Sequence, residues 1–239
     1  MTQVLFVRGG RPQLAYVGGY TESFVGLTSD KTISLTGLTG GLASAPATGD
    51  FVIVAFSAAD GSGDVDLVVA GYDERADIVG TDSYFANLAV ATKFMTASPD
   101  TSVVLTGGTG HANNAGAVSI QVWRYVDQTT PMDVTVTTAT GGNTILADPA
   151  AITPVSVGAQ IIVAAAGAGA TLVDTYTAGY LSNFLTSWGD DTNDAVVGMG
   201  NVAWTSGAYN PAAFGTNGTD NSAFSWAAVT MALRPLHPR

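Results

Sequence analysis

Short runs of Val, Ile, Thr and aromatic residues, each broken by Gly, Asp or Asn, fill most of this sequence. Helical periodicity is almost absent, and Glu, a good helix former, occurs only as Glu22 and Glu74. β-Branched and aromatic residues favour strands, and Gly supplies the positive φ that tight turns need. Because this pattern is typical of a β sandwich or barrel, we predict an all-β fold.

Individual segments sharpen the strand prediction. Ala117–Tyr125 alternates apolar and polar residues, whereas Phe51–Phe56 and Ile161–Ala166 are continuously apolar, as in strands that are buried on both faces or lie in a subunit contact. Val163–Ala170 and Tyr84–Lys93 are the best helix candidates, and we predict strand for both. The expected strands lie near Phe24–Leu27, Thr32–Leu35, Phe51–Ser57, Val65–Ala70, Tyr84–Met95, Ser102–Leu105, Ala117–Tyr125, Asp133–Thr138, Gln160–Ala166, Leu181–Ser187, Ala195–Gly200 and Phe224–Leu233.

The length of 239 residues suits one β sandwich, which we expect over residues 21–239. Residues 1–20 differ in character, and we expect them to form an arm. Val4, Phe6, Arg8 and Arg11 would anchor this arm to a partner, while an edge strand of the same domain is an equally open alternative. No fixed-period repeat is visible, so neither a solenoid nor a propeller is expected.

Charge and residue usage narrow the function classes. The net charge is −11, only 11% of residues are charged, and no basic patch is present, so binding to nucleic acid or to an anionic membrane is not expected. The absence of cysteine excludes disulfides and thiolate chemistry, and two histidines are too few for a His-rich zinc site. Because Met1–Gly10 does not resemble a signal peptide, we expect synthesis in a cytoplasm without export.

Two acidic loops are candidate cation sites. Asp60, Asp64 and Asp66 lie close together in a glycine-containing turn, and such oxygen-rich loops suit Ca²⁺. The later bidentate Glu of a typical Ca²⁺ loop is missing, and a polar hairpin turn is the alternative. The second loop, Asp190–Asp194, carries the same ambiguity and is otherwise a solvated loop.

The remaining candidates are contact residues rather than catalysts. We expect ligand or partner contacts at loop residues and aromatics, namely His111, Asn113, Asn114, Trp188, Tyr209 and Asn217. Six aromatics could form a platform on which sugars stack, or could be core or subunit interface: Trp123, Trp188, Trp204, Trp226, Tyr176 and Tyr180. No nucleophile elbow or zinc-protease motif is present, and the scarcity of Glu and His disfavours a glycan-cleaving enzyme.

A series of segments, in this order along the chain, resembles β-sandwich proteins of tailed bacteriophages and prophages, which are described as structural, fibre or lectin-like (concanavalin-like) jelly-roll proteins. The resemblance covers roughly Ser23 to Pro235. Its most specific parts are the closing strand that ends in Leu-Arg-Pro and the Trp-Arg-Tyr-Val-Asp segment. It is carried by Gly49–Val54, Tyr84, Ala91–Met95, Val122–Met132 and Ser225–Pro235.

The resemblance implies a jelly-roll domain in a non-enzymatic virion protein that is assembled in the host cytoplasm. Such a protein would be a head decoration, head fibre, collar or tail-fibre subunit that contacts other virion proteins, with a trimer as the favoured homo-oligomer. It implies no catalytic residues, and we expect no cofactor beyond the Ca²⁺ candidate. The alternative is a lectin-like module that binds host surface glycans.

Overall fold

The computed structural model describes residues 6–7, 11–26, 29–60, 65–82, 84–107, 115–144, 146–169, 175–190, 193–216 and 224–236, with residues 6, 7 and 11 described by their backbone alone. No helix occurs in these ranges, so none could cross a membrane there. The strands are β1 (Phe6–Val7), β2 (Arg11–Pro12), β3 (Ala15–Phe24), β4 (Lys31–Ser34), β5 (Phe51–Asp60), β6 (Leu67–Val69), β7 (Asp73–Gly80), β8 (Phe85–Phe94), β9 (Ser102–Gly107), β10 (Gly116–Arg124), β11 (Thr137–Gly142), β12 (Gln160–Gly169), β13 (Tyr176–Thr177), β14 (Ser182–Gly189), β15 (Asp194–Ala203), β16 (Gly215–Thr216) and β17 (Ser225–Leu233).

Two five-stranded antiparallel sheets pack face to face. The N-terminal sheet has the order β3-β10-β5-β8-β7, and the C-terminal sheet has the order β11-β17-β12-β15-β14. Their shared core contains Phe51, Leu88 and Trp123 from the first sheet and Met199 and Val229 from the second. The prediction of an all-β sandwich is confirmed, as is strand rather than helix over most of the two ambiguous segments.

Both sheets have the same connectivity. In each, the first strand along the chain lies at one edge, the fifth lies beside it, and the second, fourth and third follow. Matching strands begin 109 residues apart (51 to 160, 73 to 182 and 85 to 194). Even the register shifts match, between Glu74 and Ala76 in β7 and between Ser182 and Leu185 in β14. The fold therefore contains a structural repeat that the sequence pattern did not reveal.

The order within each sheet also bears on the expected jelly roll. A jelly roll is built from Greek keys, in which three hairpin-connected strands lie side by side and the fourth returns beside the first. Here the hairpin β7-β8 is followed by β5, and each five-stranded sheet takes all of its strands from one half of the chain. The jelly-roll part of the prediction is thus not confirmed, while the sandwich part is.

The N-terminal segment divides between two structures. Ala15 to Phe24 form β3, an edge strand paired with β10, so the sandwich begins within the segment that was expected to be an arm. Before it, β1 and β2 pair as a short hairpin that includes the backbones of Phe6 and Arg11. Val4 and Arg8 lie outside the described residues, and the anchoring role of the segment stays a prediction.

The outer faces of the two sheets are covered unequally. The N-terminal sheet carries a third sheet, β4-β9-β6, over a buried layer that includes Ile33, Leu67 and Leu105. Among the described residues, the C-terminal sheet carries in the matching place the two-residue strands β13 and β16, together with loops. Because this cover is smaller, more of the C-terminal sheet's outer layer reaches the surface.

Each half of the chain contains one ion pair between the end of its last long strand and a residue that precedes an earlier strand. Arg124, at the end of β10, donates from Nε and Nη2 to the Asp50 carboxylate at 2.7 and 2.8 Å. Arg234, just after β17, donates from Nε to Asp133 Oδ1 at 3.1 Å. Both carboxylates are buried, and the hydrogen bond to Asp50 is the main reason that the pKa of Arg124 is raised.

Candidate functional site

The predicted cation loops are only partly described. Asp60 is the buried last residue of β5, Asp66 is exposed, and Asp64 lies outside the described residues. In the second loop Asp190 is exposed and Asp194 is buried at the start of β15. No group of three His, Cys, Asp or Glu side chains in the described ranges could hold a metal ion. The Ca²⁺ site therefore stays a prediction.

The predicted contact residues divide in the same way. His111, Asn113, Asn114 and Asn217 fall outside the described residues. Trp188 and Tyr209 are described, and both are half-buried against the outer layer of the C-terminal sheet. The structure thus brings together two of the six predicted contact residues on one face.

The six aromatics proposed as a platform do not act as one surface. Trp123 is buried between the two sheets, and Tyr176 and Trp226 are buried on the outer side of the C-terminal sheet. Tyr180, Trp188 and Trp204 remain partly exposed there, beside Phe184 and Tyr209. We call these five partly exposed residues, Tyr180, Phe184, Trp188, Trp204 and Tyr209, the aromatic surface.

Small residues of β15 make room for the aromatic surface. A side-chain carbon at Gly198 would lie only 3.1 Å from the rings of Phe184 and Phe214, so the rings rest directly on the strand. Phe214 is the buried centre of this group, with ring centroids 5.9 Å from Phe184 and 6.5 Å from Tyr180. These edge-on and tilted ring contacts orient Phe184 and Tyr180 on the sheet.

Hydrogen bonds fix two of these residues and leave one donor unused. Tyr180 Oη donates to the Ala212 carbonyl at 2.5 Å, and Trp204 Nε1 donates to the Gly207 carbonyl at 2.9 Å. Burial, followed by the proximity of Tyr209 and Asp148, raises the pKa of Tyr180, so its hydroxyl stays a donor at neutral pH. Trp188 Nε1 is buried without a hydrogen-bond partner among the described residues.

Trp188 lies on β14, an edge strand of the C-terminal sheet. In the described structure β14 pairs with β15 on one side and with no strand on the other. Its sequence, SNFLTSWG, contains no charge. The matching edge strand β7, DERADIVG, carries four charged residues, which discourage pairing with another strand. The two edges therefore differ, because the charges of β7 discourage pairing with another strand and β14 has none.

A polar cleft lies where β7 and β8 meet the linker between the halves. Its volume is about 380 Å³, at the lower end of the range for small-molecule sites. Arg75 Nε donates to Thr92 Oγ1 at 2.7 Å, and its Nη2 lies 3.5 Å from Asp73 Oδ2. The lining residues are Asp73, Arg75, Phe94, Gln128, Thr129, Thr130, Pro131 and Met132.

The linker wall of this cleft is held in shape by Asp127. Its Oδ1 accepts hydrogen bonds from the backbone amides of Thr129 and Thr130, both at 2.9 Å. These bonds, led by the one from Thr130, lower the pKa of Asp127, so the carboxylate stays ionised. The cleft is thus lined by an ion pair, the Gln128 amide, the Phe94 ring and the hydroxyl groups of Thr129 and Thr130, of which the Thr130 hydroxyl already accepts a hydrogen bond from Arg234 Nη1 at 3.0 Å.

Neither the open edge nor the cleft was found from the sequence. The cleft draws on three separate segments, and the edge becomes visible only when β14 is compared with β7. The absence of charge over Ser182–Gly189 was the one signal in the sequence that could have singled out the edge.

Comparison with known proteins gives no relative, since no family model, curated protein or solved structure matches the chain.

Proposed function

We propose that this chain is a non-enzymatic structural subunit of a bacteriophage particle, such as a head decoration, head fibre, collar or tail-fibre subunit, that acts through protein–protein contacts. The observation that supports this function best is the aromatic surface beside an uncharged, unpaired edge strand. The centres of protein interfaces are enriched in aromatic residues and depleted of charge, as this region is. The phage setting comes from the resemblance of the sequence.

Other exposed apolar residues support an assembly role. Val155 and Val157 are 65% and 85% exposed in a loop whose backbone is fixed by the buried Asp133 carboxylate. These two valines offer apolar area, in a fixed conformation, that a neighbouring subunit could cover. A rigid module with several uncovered apolar areas suits a subunit with permanent neighbours.

The test is the composition of intact particles. Phage particles from a lysate of the strain that carries the gene would be purified by density gradient and analysed by mass spectrometry. We expect this chain in a fixed ratio to the major capsid protein. Intact particles that lack it would refute the proposed function.

The anchoring hypothesis has its own variant. Deleting residues 1–13 removes Val4, Phe6, Arg8 and Arg11 but leaves β3 complete from Ala15. We expect the shortened protein to melt cooperatively and to be missing from particles when it replaces the full chain. Full incorporation of the shortened protein would contradict the anchoring role. The control is the full-length chain carrying Asp30→Asn, which should be incorporated as the wild type is.

A second candidate function, binding of a host saccharide, is favoured by the cleft. Its ion pair, amide and hydroxyl groups could exchange hydrogen bonds with sugar hydroxyls, while Phe94 offers an apolar side. We expect Arg75→Gln to abolish binding to host surface polysaccharide and Asp30→Asn to leave it unchanged. Binding that survives Arg75→Gln would exclude the cleft, and a repeat in EDTA tests the expected Ca²⁺ dependence.

A further inference from the structure

We infer that two copies of this chain pair through β14, antiparallel to one another, about a two-fold axis at Thr186. The pair joins the two C-terminal sheets into one continuous sheet. This inference rests on the proposed function for its setting. It deepens that function by naming the partner, a second copy of the chain, so that a two-fold pair takes the place of the trimer that the resemblance favours. It starts from the open edge of β14, whose backbone donors and acceptors on that side pair with no other strand in the described ranges.

The faces of β14 are defined by their contacts. A side-chain carbon at Gly19 of β3 would touch Leu185 Cδ1 at 2.5 Å, and Ser187 Oγ donates to the Glu22 carbonyl of β3 at 2.8 Å. Leu185 and Ser187 therefore face the N-terminal sheet. Phe184 and Trp188 pack on the outer face, and Thr186 shares that face because side chains alternate along a strand.

This alternation makes β14 complementary to itself. In an antiparallel pair, residues directly opposite one another project from the same face of the sheet. With Thr186 opposite its own copy, Phe184 lies opposite the partner subunit's Trp188, and the same contact occurs a second time by symmetry. Leu185 then lies opposite the partner subunit's Ser187. The register thus forms two aromatic pairs on the outer face and brings no charged residue of β14 into the contact, and Asp190, which follows β14, lies at each end opposite the partner subunit's Ser182.

Nearby apolar residues extend the contact. β14 packs on β3, and the outer edge of β3 is covered by the segment that contains Leu42, whose amide donates to the Tyr16 carbonyl. Leu42 is 61% exposed, and Val25, which directly follows β3, is 66% exposed. Leu42 and Val25 both lie on the side of the sandwich on which β14 is the edge strand of the C-terminal sheet. A second copy would cover them together with the edge.

The charge pattern selects a two-fold pair over a chain of copies. Pairing of β14 with β7 of another copy would leave a free edge at each end and would build an open filament. β7 opposes this with Asp73, Glu74, Arg75 and Asp77, charged side chains along that edge. Pairing of β14 with itself is closed and leaves the charged β7 edges in solvent.

Disulfide trapping tests this register directly, because the chain contains no cysteine. In the proposed pair the Thr186 Cα atoms lie about 4.5–5.5 Å apart, within the range that a disulfide spans. We expect Thr186→Cys to form a covalent dimer under mild oxidation. Ser182→Cys is the control on the same exposed strand, since its Cα would lie roughly 26 Å from its copy and should not cross-link.

Light scattering on the eluate of a size-exclusion column supplies the second measurement. The wild-type chain is expected to elute with twice its mass of 24.2 kDa. Thr186→Lys, which would bring two lysines together on the axis, is expected to elute as a monomer. Thr138→Lys, on the exposed edge strand β11, should remain a dimer. Circular dichroism and melting temperatures would show that all of these variants are folded.

The outcomes separate this inference from the proposed function. A monomeric wild-type chain, or a dimer in which Thr186→Cys fails to cross-link, overturns the β14 pairing. If the wild-type chain is found in intact particles despite either of these results, the proposed function stands without the β14 pairing. If the chain pairs through β14 but is absent from intact particles, the pairing is supported and the proposed function is refuted.

Discussion

Replacing Asp133 with alanine is expected to lower the free energy of unfolding by about 3 kcal/mol. The carboxylate is fully buried and accepts hydrogen bonds at Oδ2 from the amides of Val155 at 2.6 Å and Ser156 at 2.9 Å. At Oδ1 it accepts the bond from Arg234 Nε at 3.1 Å. The alanine variant leaves all three donors without their acceptor.

The magnitude follows from these three bonds. A buried donor that loses its partner costs roughly 1–3 kcal/mol, and breaking a buried ion pair costs roughly 3–5 kcal/mol. The Arg234 side chain is 27% exposed, so water partly replaces its lost contact and the lower end of this range applies. In a chain of 239 residues, about 3 kcal/mol corresponds to a fall in melting temperature of about 6 °C.

The dependence on pH tests the cause as well as the size. Burial by itself would raise the pKa of Asp133, but its bonds with Ser156, Val155 and Arg234 outweigh burial and hold the pKa below 3.8. A carboxyl with a lowered pKa stabilises the fold above its unfolded pKa and loses this effect as the pH falls through the folded pKa. The difference between wild type and variant should therefore be constant above roughly pH 5 and shrink at lower pH.

Urea unfolding followed by tryptophan fluorescence measures this difference, with Asp73→Ala as the matched control. The Asp73 carboxylate is 81% exposed and lies 3.5 Å from Arg75, so its loss should change stability by no more than about 0.5 kcal/mol. If Asp133→Ala costs no more than the control, or if its cost is unchanged in acid, the ion pair does not stabilise the fold as described.

Two further predictions concern packing and alkaline stability. A side-chain carbon at Gly80 would lie 2.1 Å from the Trp226 carbonyl oxygen, so Gly80→Ala should lower the free energy of unfolding in urea by about 3 kcal/mol. A side-chain carbon at Gly179 would have no atom within 4 Å, so Gly179→Ala is the control and should change stability very little. Equal costs for the two variants would contradict the close approach of β7 and β17. Burial raises the pKa of Tyr16 to about 12 from 10.0, so stability should be complete below pH 10.0 and fall as the unfolded chain ionises first. Tyr16→Phe should make this alkaline loss shallower in unfolding curves recorded across that pH range, and an unchanged slope would show that Tyr16 does not cause it.

The two central strands could be predicted from the sequence because their apolar residues are consecutive along the chain. Phe51–Asp60 is buried at all ten positions, and β12 is buried at all positions after Gln160. A continuous apolar run in a chain without helical periodicity has few other stable conformations. The expected alternation of Ala117–Tyr125 was less informative, because Ser119 and Gln121 are also buried, in the layer between the sheets.

The structural repeat could not be recognised from the sequence because matching positions in the two sheets need to share only a backbone conformation. Arg75 of β7 and Phe184 of β14 occupy matching places 109 residues apart, yet one lines a polar cleft and the other packs on the outer face. Hydrogen bonds between strands are made by the backbone and place little restriction on residue identity. Two halves can therefore share one topology while their side chains differ.

The sequence by itself determined that this chain forms strands, because β-branched residues and glycine turns act locally and the apolar runs have to be buried. The tertiary structure decided which strands became neighbours, and with them the open edge at β14, the aromatic surface and the cleft around Arg75. Each of these depends on residues from distant segments or on the absence of a neighbouring strand. Such relations are set by the packing of whole sheets, which no local pattern of residues encodes.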